Sequence, residues 1–471
     1  MNEKEIQKLL CPEAFPHKVK NLRLKETYIS WLIFTGNFVY KIKKPVKYSY
    51  LDFSTINKRK FFCKEELKLN RRLSPEIYLD VVPILKAGRK LKILKSSKAP
   101  LTKEKILDWT LKMKEIPQKY SLKELVKKGK IREREIQKIA KKIFYFHQMA
   151  QTSPEIDEYG KIKLIKKNWE ENFEQTKPFL REILNENLYS FIKKEIENFL
   201  KKEKLLFLKR IKEKKIKDTH GDLHSENIFV TPKGIYIIDC VEFTKRFRYQ
   251  DIVSDIAFLA MDLDFLERKD LSEFFVQKYN FYLNDKDLFK ILPFYKCYRA
   301  YIRAKVGCLS LPKADLFSIQ KYFSLAFKYA FELSKRKPLL LVIFGQIGTG
   351  KTYLAKHLAN TIGAKLLRSD IIRKKMLGIP LFSHPKKNLE KIYSQKVTYK
   401  VYQKMLSEGL KAWKKGEFVI LDATFSKEFY RKKVIEMTKK EKVPYFFIQC
   451  HASEKKILER LKEREKKERN F

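Results

Sequence analysis

His220-Gly221-Asp222-Leu223-His224-Ser225-Glu226-Asn227 runs into Ile228-Phe229-Val230, a turn at Thr231-Pro232-Lys233-Gly234, and then Ile235-Tyr236-Ile237-Ile238-Asp239. Two short apolar runs parted by a Pro/Gly turn read as a hairpin. Asp222 and Asn227 then stand before its first strand and Asp239 at the end of its second. One Asp or Asn in a loop is ordinary turn chemistry. Three of them in fixed order around one hairpin, behind a His-Gly-Asp-Leu-His core, are not explained by loops alone.

Outward from this passage the pattern is mixed. Upstream, Tyr28 to Phe34, a Thr35-Gly36-Asn37 turn and Phe38 to Lys43 read as another hairpin, followed by a helix over 55–73. The spacing of Leu, Ile and Phe predicts mostly helix over 101–215, and again over the aromatic-rich stretch 249–335, which reads as core. After the basic, proline-stopped Ser334-Lys335-Arg336-Lys337-Pro338 the pattern changes. Continuous apolar runs at 339–344, 418–421 and 445–450 alternate with helical segments, as in a parallel sheet. The main boundary is placed near 335.

The first of those runs enters Gly345-Gln346-Ile347-Gly348-Thr349-Gly350-Lys351-Thr352, a GxxxxGK[ST] loop between a strand and a helix expected over 353–360. Glycines there let backbone N–H groups converge on phosphate oxygens at a helix N-terminus. Lys351 would reach the terminal phosphates and Thr352 would hold Mg²⁺. Asp422, ending the run 418–421, is placed to join the magnesium shell. Asp370 with Arg373, and Arg460 with Arg464 one helical turn on, resemble the acceptor-side and lid parts of small P-loop kinases. An exposed helix face explains the arginine pair equally well.

The passage 220–239 resembles the catalytic segment of the protein-kinase superfamily, and Gly221 points to its aminoglycoside phosphotransferase and choline kinase branch. That resemblance implies Asp222 as the residue that orients or deprotonates an acceptor hydroxyl, and Asn227 and Asp239 as metal ligands. It also implies a lysine gripping the ATP phosphates and a carboxylate partner for it on the next helix. Lys41 and Glu66 are chosen, with Lys43 on the same strand face and Glu65 beside Glu66 left open. His220 is read as a prop for the loop and Asp255 as an anchor.

The whole chain resembles bifunctional proteins in which an aminoglycoside phosphotransferase-like domain is fused to a P-loop ATPase or kinase domain. Tyr40 to Val46, Leu51 to Ser54, Glu66 to Arg72, Asp108 to Met113 and Ile238 to Phe243 carry it. The implied fold class is multidomain α+β and α/β: a bilobal kinase-like domain over 1–335, with a small lobe of about 1–100 and a large lobe of about 101–335, then a P-loop domain over 336–471. Relatives continue past the lid arginines, so the end at Phe471 is read as an early stop.

Composition narrows the remaining classes. A chain of 471 residues with 44% hydrophobic content supports several cores, and its 14 glycines and 16 prolines exclude collagenous or low-complexity readings. Six scattered cysteines with no CxxC pair indicate reduced thiols, neither a disulfide framework nor a zinc knuckle. The charged start and the lack of a long apolar run lead to the expectation of a cytoplasmic protein with no membrane partner. The net charge of +48 is spread among glutamates, as on solvated helices, so a nucleic-acid partner is not favoured. The expected activity is ATP- and Mg²⁺-dependent phosphate transfer to a small-molecule hydroxyl. The alternatives are a nucleotide sensor without turnover at one site and a polynucleotide end kinase.

Overall fold

A computed structural model describes every residue except 49, 89, 97–104, 313, 382–388, 470 and 471; the side chains of 87 and 464–469 also fall outside it. The chain divides into two compact units, Met1–Glu171 with Phe199–Arg299, and Asn172–Asn198 with Ala300–Phe471.

The first unit is built on a six-stranded antiparallel sheet, in spatial order Arg23–Glu26, Ser30–Phe34, Phe38–Lys43, Lys105–Lys114, Tyr78–Ala87 and Lys90–Ile93. The strand Phe38–Lys43 alternates. Tyr40 and Ile42 join a core with Trp31, Ile33 and Val82 on one face, while Val39 packs with Cys63, Val81 and Leu111 on the other. The period of two puts Lys41 and Lys43 on the Val39 face, beneath the helix Ile56–Arg71. That helix begins where the Thr55 hydroxyl accepts the Lys58 N–H. Its buried stripe, Arg59, Cys63, Glu66 and Asn70, follows the helical period but is largely polar.

Two segments differ from the sequence reading. Residues 105–114 form a strand within the stretch read as mostly helical. Trp109, Leu111 and Met113 recur at every second position and pack in one cluster, and the neighbours that decide this, Phe38–Lys43 and Tyr78–Ala87, come from far along the chain. Tyr78–Ala87 is a ten-residue strand that the sequence reading did not single out.

Beyond the sheet the unit is mainly helical. Ile228–Thr231 pairs with Gly234–Ile237 as the hairpin after Asn227, and Ile216–Asp218 pairs with Tyr249–Asp251. The helix Ile252–Phe265, capped by the Asp251 carboxylate on the Val253 N–H, is buried along nearly its whole length.

The second unit holds a parallel sheet in the order Lys365–Arg368, Val419–Asp422, Leu340–Phe344, Tyr445–Gln449. Leu340–Phe344 lies inside the sheet and delivers the glycine loop at its C-terminal end; the helix Lys351–Ile362 follows. In a sheet of this kind ligands bind outside the carboxyl ends of the strands. Among the described residues no helix is long and apolar enough to cross a membrane.

Candidate functional site

The loop 220–227 is fixed by groups buried beneath it. Gly221 has φ +85°, and a Cβ there would come within 2.8 Å of the Phe247 carbonyl, so glycine is required. The fully buried Asp255 carboxylate accepts the His220 and Gly221 backbone N–H groups at 3.1 and 2.9 Å, and His147 Nε2 lies 3.1 Å away. Burial alone would raise the Asp255 pKa; the His147 hydrogen bond and the neighbouring positive groups bring it below the ordinary value instead. Burial lowers the pKa of His220, favouring the neutral ring. Its Nε2 donates to the Ile238 carbonyl (3.0 Å) and its Nδ1 accepts from the Asp222 N–H (3.3 Å), tying the loop to the far end of the hairpin. Asn227 Nδ2 donates to the Asp222 carbonyl (3.0 Å) and to Asp222 Oδ2 (3.2 Å), which leaves its Oδ1 as the metal-capable atom.

Asp239 sits at φ +66°, a left-handed conformation that non-glycine residues adopt mostly where the surroundings impose it. Here the Tyr78 hydroxyl accepts the Asp239 N–H (2.9 Å), Ser74 Oγ bonds the Ile237 backbone, and Asn70 Oδ1 accepts the Cys240 N–H (2.9 Å). Lys41 Nζ lies 2.6 Å from Asp239 Oδ1 and 2.7 Å from Glu66 Oε1. Glu66 Oε2 takes Lys43 Nζ at 2.7 Å, and Lys43 also bonds Glu242. Burial works against the charge on Lys41, yet Asp239, Glu66 and Glu242 hold its pKa well above normal. Burial likewise opposes ionisation of Glu66, and Lys41 with Lys43 reverses this, keeping it well below the usual carboxylate range. Glu65, half-buried, is one position off the buried stripe.

In the second unit Gly345 has φ +146°, and a Cβ there would meet the Cys450 carbonyl at 2.4 Å. Thr352 Oγ1 donates to Asp422 Oδ2 at 2.7 Å. Asp422 is buried, and its other oxygen, Oδ1, has no hydrogen-bond partner. An orphaned buried carboxylate oxygen beside the Thr352 hydroxyl is the donor set a magnesium ion uses when phosphates complete its shell. Among the described residues no group of three His, Cys, Asp or Glu side chains is placed to hold a metal by protein alone.

Residues 340–471 match a protein-family model described as an AAA domain. Over 407 residues the chain is 29% identical to the uncharacterized protein Rv2004c of Mycobacterium tuberculosis (strain ATCC 25618 / H37Rv), covering 85% of this chain and 78% of that one. Similar solved structures include a choline kinase from Cryptosporidium parvum Iowa II, at 14% identity and TM-score 0.42, covering 71% of this chain and 96% of that one. A putative kinase from Chloroflexus aurantiacus covers 28% of this chain and 69% of that one, at 20% identity and TM-score 0.25.

The remaining candidates of the P-loop domain fall into two groups. Lys351 Nζ donates to the Gln346 carbonyl (3.0 Å), and Arg460 donates to the Gly348 carbonyl (3.1 Å), so both cations stand at the loop itself. Among the described residues, only the Arg460 guanidinium comes near the Cβ position of Gly350. Asp370 pairs with Lys374 (3.4 Å), and Arg373, mostly buried, donates to the Ile392 carbonyl and Thr398 Oγ1 and lies over the Tyr393 ring. These two are occupied within their own helical neighbourhood. The Arg464 side chain and the chain end at Phe471 lie outside the described residues.

Sequence reasoning missed several participants. Arg368, 3.5 Å from Asp422, adjoins Ser369-Asp370 and could have been found by its position at a strand end. In the first unit Asn70 and Glu242 lie in stretches that carry the resemblance but were given no role, and Tyr78 and His147 were not singled out, because each acts on a partner distant in sequence.

Proposed function

We propose that the chain is an ATP- and Mg²⁺-dependent phosphotransferase with two nucleotide sites, one in a kinase-like domain built on the first unit and one in a P-loop domain built on the second. The observation that carries this reading is Lys41 Nζ held between Glu66 and Asp239, at 2.7 and 2.6 Å, next to the loop that bears Asp222 and Asn227. Phosphoryl transfer needs mainly positioning and neutralisation of charge, and these groups are of the types that supply both.

In the kinase-like domain Asp239 and Asn227 Oδ1 would hold Mg²⁺, which when bound neutralises the phosphate oxygens as the γ-phosphoryl group moves. Lys41 turns from Asp239 to the α/β-phosphates while Glu66 keeps its direction. His224 and Asn227 both face Asp222 Oδ2, at 3.3 and 3.2 Å, and so orient the carboxylate that meets the acceptor hydroxyl. In the P-loop domain the amides of Gly345–Thr352 cradle the phosphates, Lys351 leaves the Gln346 carbonyl for them, and Thr352 and Asp422 would hold the metal. Arg460 is the lid cation; Asp370, Arg373 and Arg464 are assigned to the acceptor side and lid.

The acceptor is a small molecule bearing a hydroxyl. A net charge of +48 disfavours polycationic sugars at long range. The test is ATP consumption against a panel of hydroxyl metabolites and oligonucleotides with the parent, Asp222→Asn and Lys351→Ala. Each substitution should remove its own component by on the order of 10²-fold or more. Turnover unchanged by both substitutions would sink the reading, and sensitivity to Lys351→Ala alone would make the kinase-like domain a nucleotide sensor.

A further inference from the structure

The kinase-like domain contains a buried ion pair, Lys43 with Glu242, that the mechanism above does not use. Lys43 has a fully buried side chain, 2.7 Å from the equally buried Glu66 and paired on its other side with Glu242, which is 4% exposed. The Phe53 ring covers the ammonium, its centroid 4.8 Å from Nζ. Four stretches of chain meet at this point: the strand Phe38–Lys43, the segment around Phe53, the helix Ile56–Arg71 and the segment following Asp239. The Phe53 carbonyl continues the contact by accepting from Arg59, which grips Asp108. Segments that the sequence set apart without giving them a role thus converge on one buried group.

Stability alone does not explain such a cluster, because replacing a buried ion pair by apolar side chains of similar volume is often neutral or stabilising. The connectivity suggests another use. Glu66 gives one oxygen to Lys41 and the other to Lys43. Lys43 bonds Glu242, which lies three residues beyond Asp239, and Asp239 returns to Lys41. The contacts run Asp239–Lys41–Glu66–Lys43–Glu242 with opposite charges alternating, and the short backbone segment 239–242 joins the two end carboxylates into a ring.

We propose that Lys43 and Glu242 are positioning residues that fix the spacing of Lys41 and Asp239 through that ring, so that the grip on a magnesium-bound triphosphate is formed before the nucleotide arrives. Lys43 anchors the second oxygen of Glu66, keeping the first aimed at Lys41. Glu242 pins the segment that carries Asp239 to the same anchor. Neither residue touches the nucleotide. The inference rests on the nucleotide reading of the kinase-like domain.

The test uses the full chain with Lys351→Ala, which silences the P-loop site, and titrates a nonhydrolysable ATP analogue with Mg²⁺, and separately adenosine. Lys43→Met with Glu242→Leu removes the pair as a unit; Glu66 keeps Lys41 as its charged partner while its second oxygen is released. The expected result is a retained thermal midpoint, analogue binding weaker by about tenfold or more, the scale for residues that orient ligating groups, and unchanged adenosine binding. Equal weakening for adenosine and analogue would mark a structural role and overturn the proposal, as would analogue binding at parental strength. If the Lys351→Ala chain itself binds no analogue, the nucleotide reading of this domain fails and takes the proposal with it. Should the double variant not fold, Lys43→Arg decides: it keeps the charge but replaces a compact ammonium by a planar fork. Several-fold weaker analogue binding with adenosine unaffected supports the role, and parental binding rejects it.

Discussion

Glu66 divides its two oxygens between Lys41 and Lys43, which explains why strand alternation could place both lysines on one face without choosing between them. The sequence holds the choice only through Asp239 and Glu242, nearly two hundred positions further on, which draw the two ammonium groups apart. The same carboxylate gives the domain an acid limit. Its folded pKa is depressed, so the unfolded chain binds the proton more readily, and the stability from Glu66 is complete above the ordinary glutamate value of 4.5 and fades as pH falls below it. Urea unfolding from pH 6 down to pH 3 should show that decline in the parent and a flatter limb in Glu66→Gln, which starts from lower stability at neutral pH because the buried Lys43 and the part-buried Lys41 have each lost a charged partner. A Glu66→Gln limb as steep as the parent's would contradict the assignment. Gly221 was read only as a mark of the family branch and Gly345 as a phosphate-loop glycine; the backbone approach that each permits shows once the Phe247 and Cys450 carbonyls are in place.

At the scale of elements, the helix read over 55–73 appears as Ile56–Arg71, and the apolar runs after 338 become the strands of a parallel sheet. The less legible elements are those whose state depends on distant neighbours. Trp109, Leu111 and Met113 have a strand's period, yet Ile106 and Leu107 beside them also suit a helix, and only the flanking strands settle it. The helix Leu316–Leu333 is another case. Before the sequence changes character it already belongs to the compact unit of the P-loop domain. Ser324 Oγ donates to the Thr361 carbonyl at the end of the helix Lys351–Ile362, and Phe331 meets the buried Phe418 edge-on at a centroid distance of 4.6 Å. Phe418→Ala should therefore cost about 3 kcal/mol in that unit. Hydrogen exchange of the Leu340–Phe344 amides under mild denaturant reads the effect; unchanged protection would show that the ring adds little.

For the molecule as a whole, charge was the least informative property of the sequence. The excess of 48 positive charges is compatible with a polyanionic partner, but its spread among glutamates read as solvated helix surface, and exposed lysines do pair with glutamates one helical turn away, as Lys128 with Glu124 and Lys269 with Glu273. Oligonucleotide binding, followed by anisotropy, should be lost as salt rises to about 0.15 M. Tight binding that survives that salt would favour the end-kinase alternative. The two motifs were legible because each is local, eight residues for the phosphate loop and twenty for the loop and hairpin, whereas their supports come from distant segments. Calorimetric titration of the full chain with a nonhydrolysable ATP analogue and Mg²⁺ counts the sites. Two equivalents should bind to the parent, one to Lys351→Ala, one to Asp239→Asn and none when both are changed; a single equivalent in the parent, or a count that neither substitution alters, would contradict the assignment of a nucleotide to each domain.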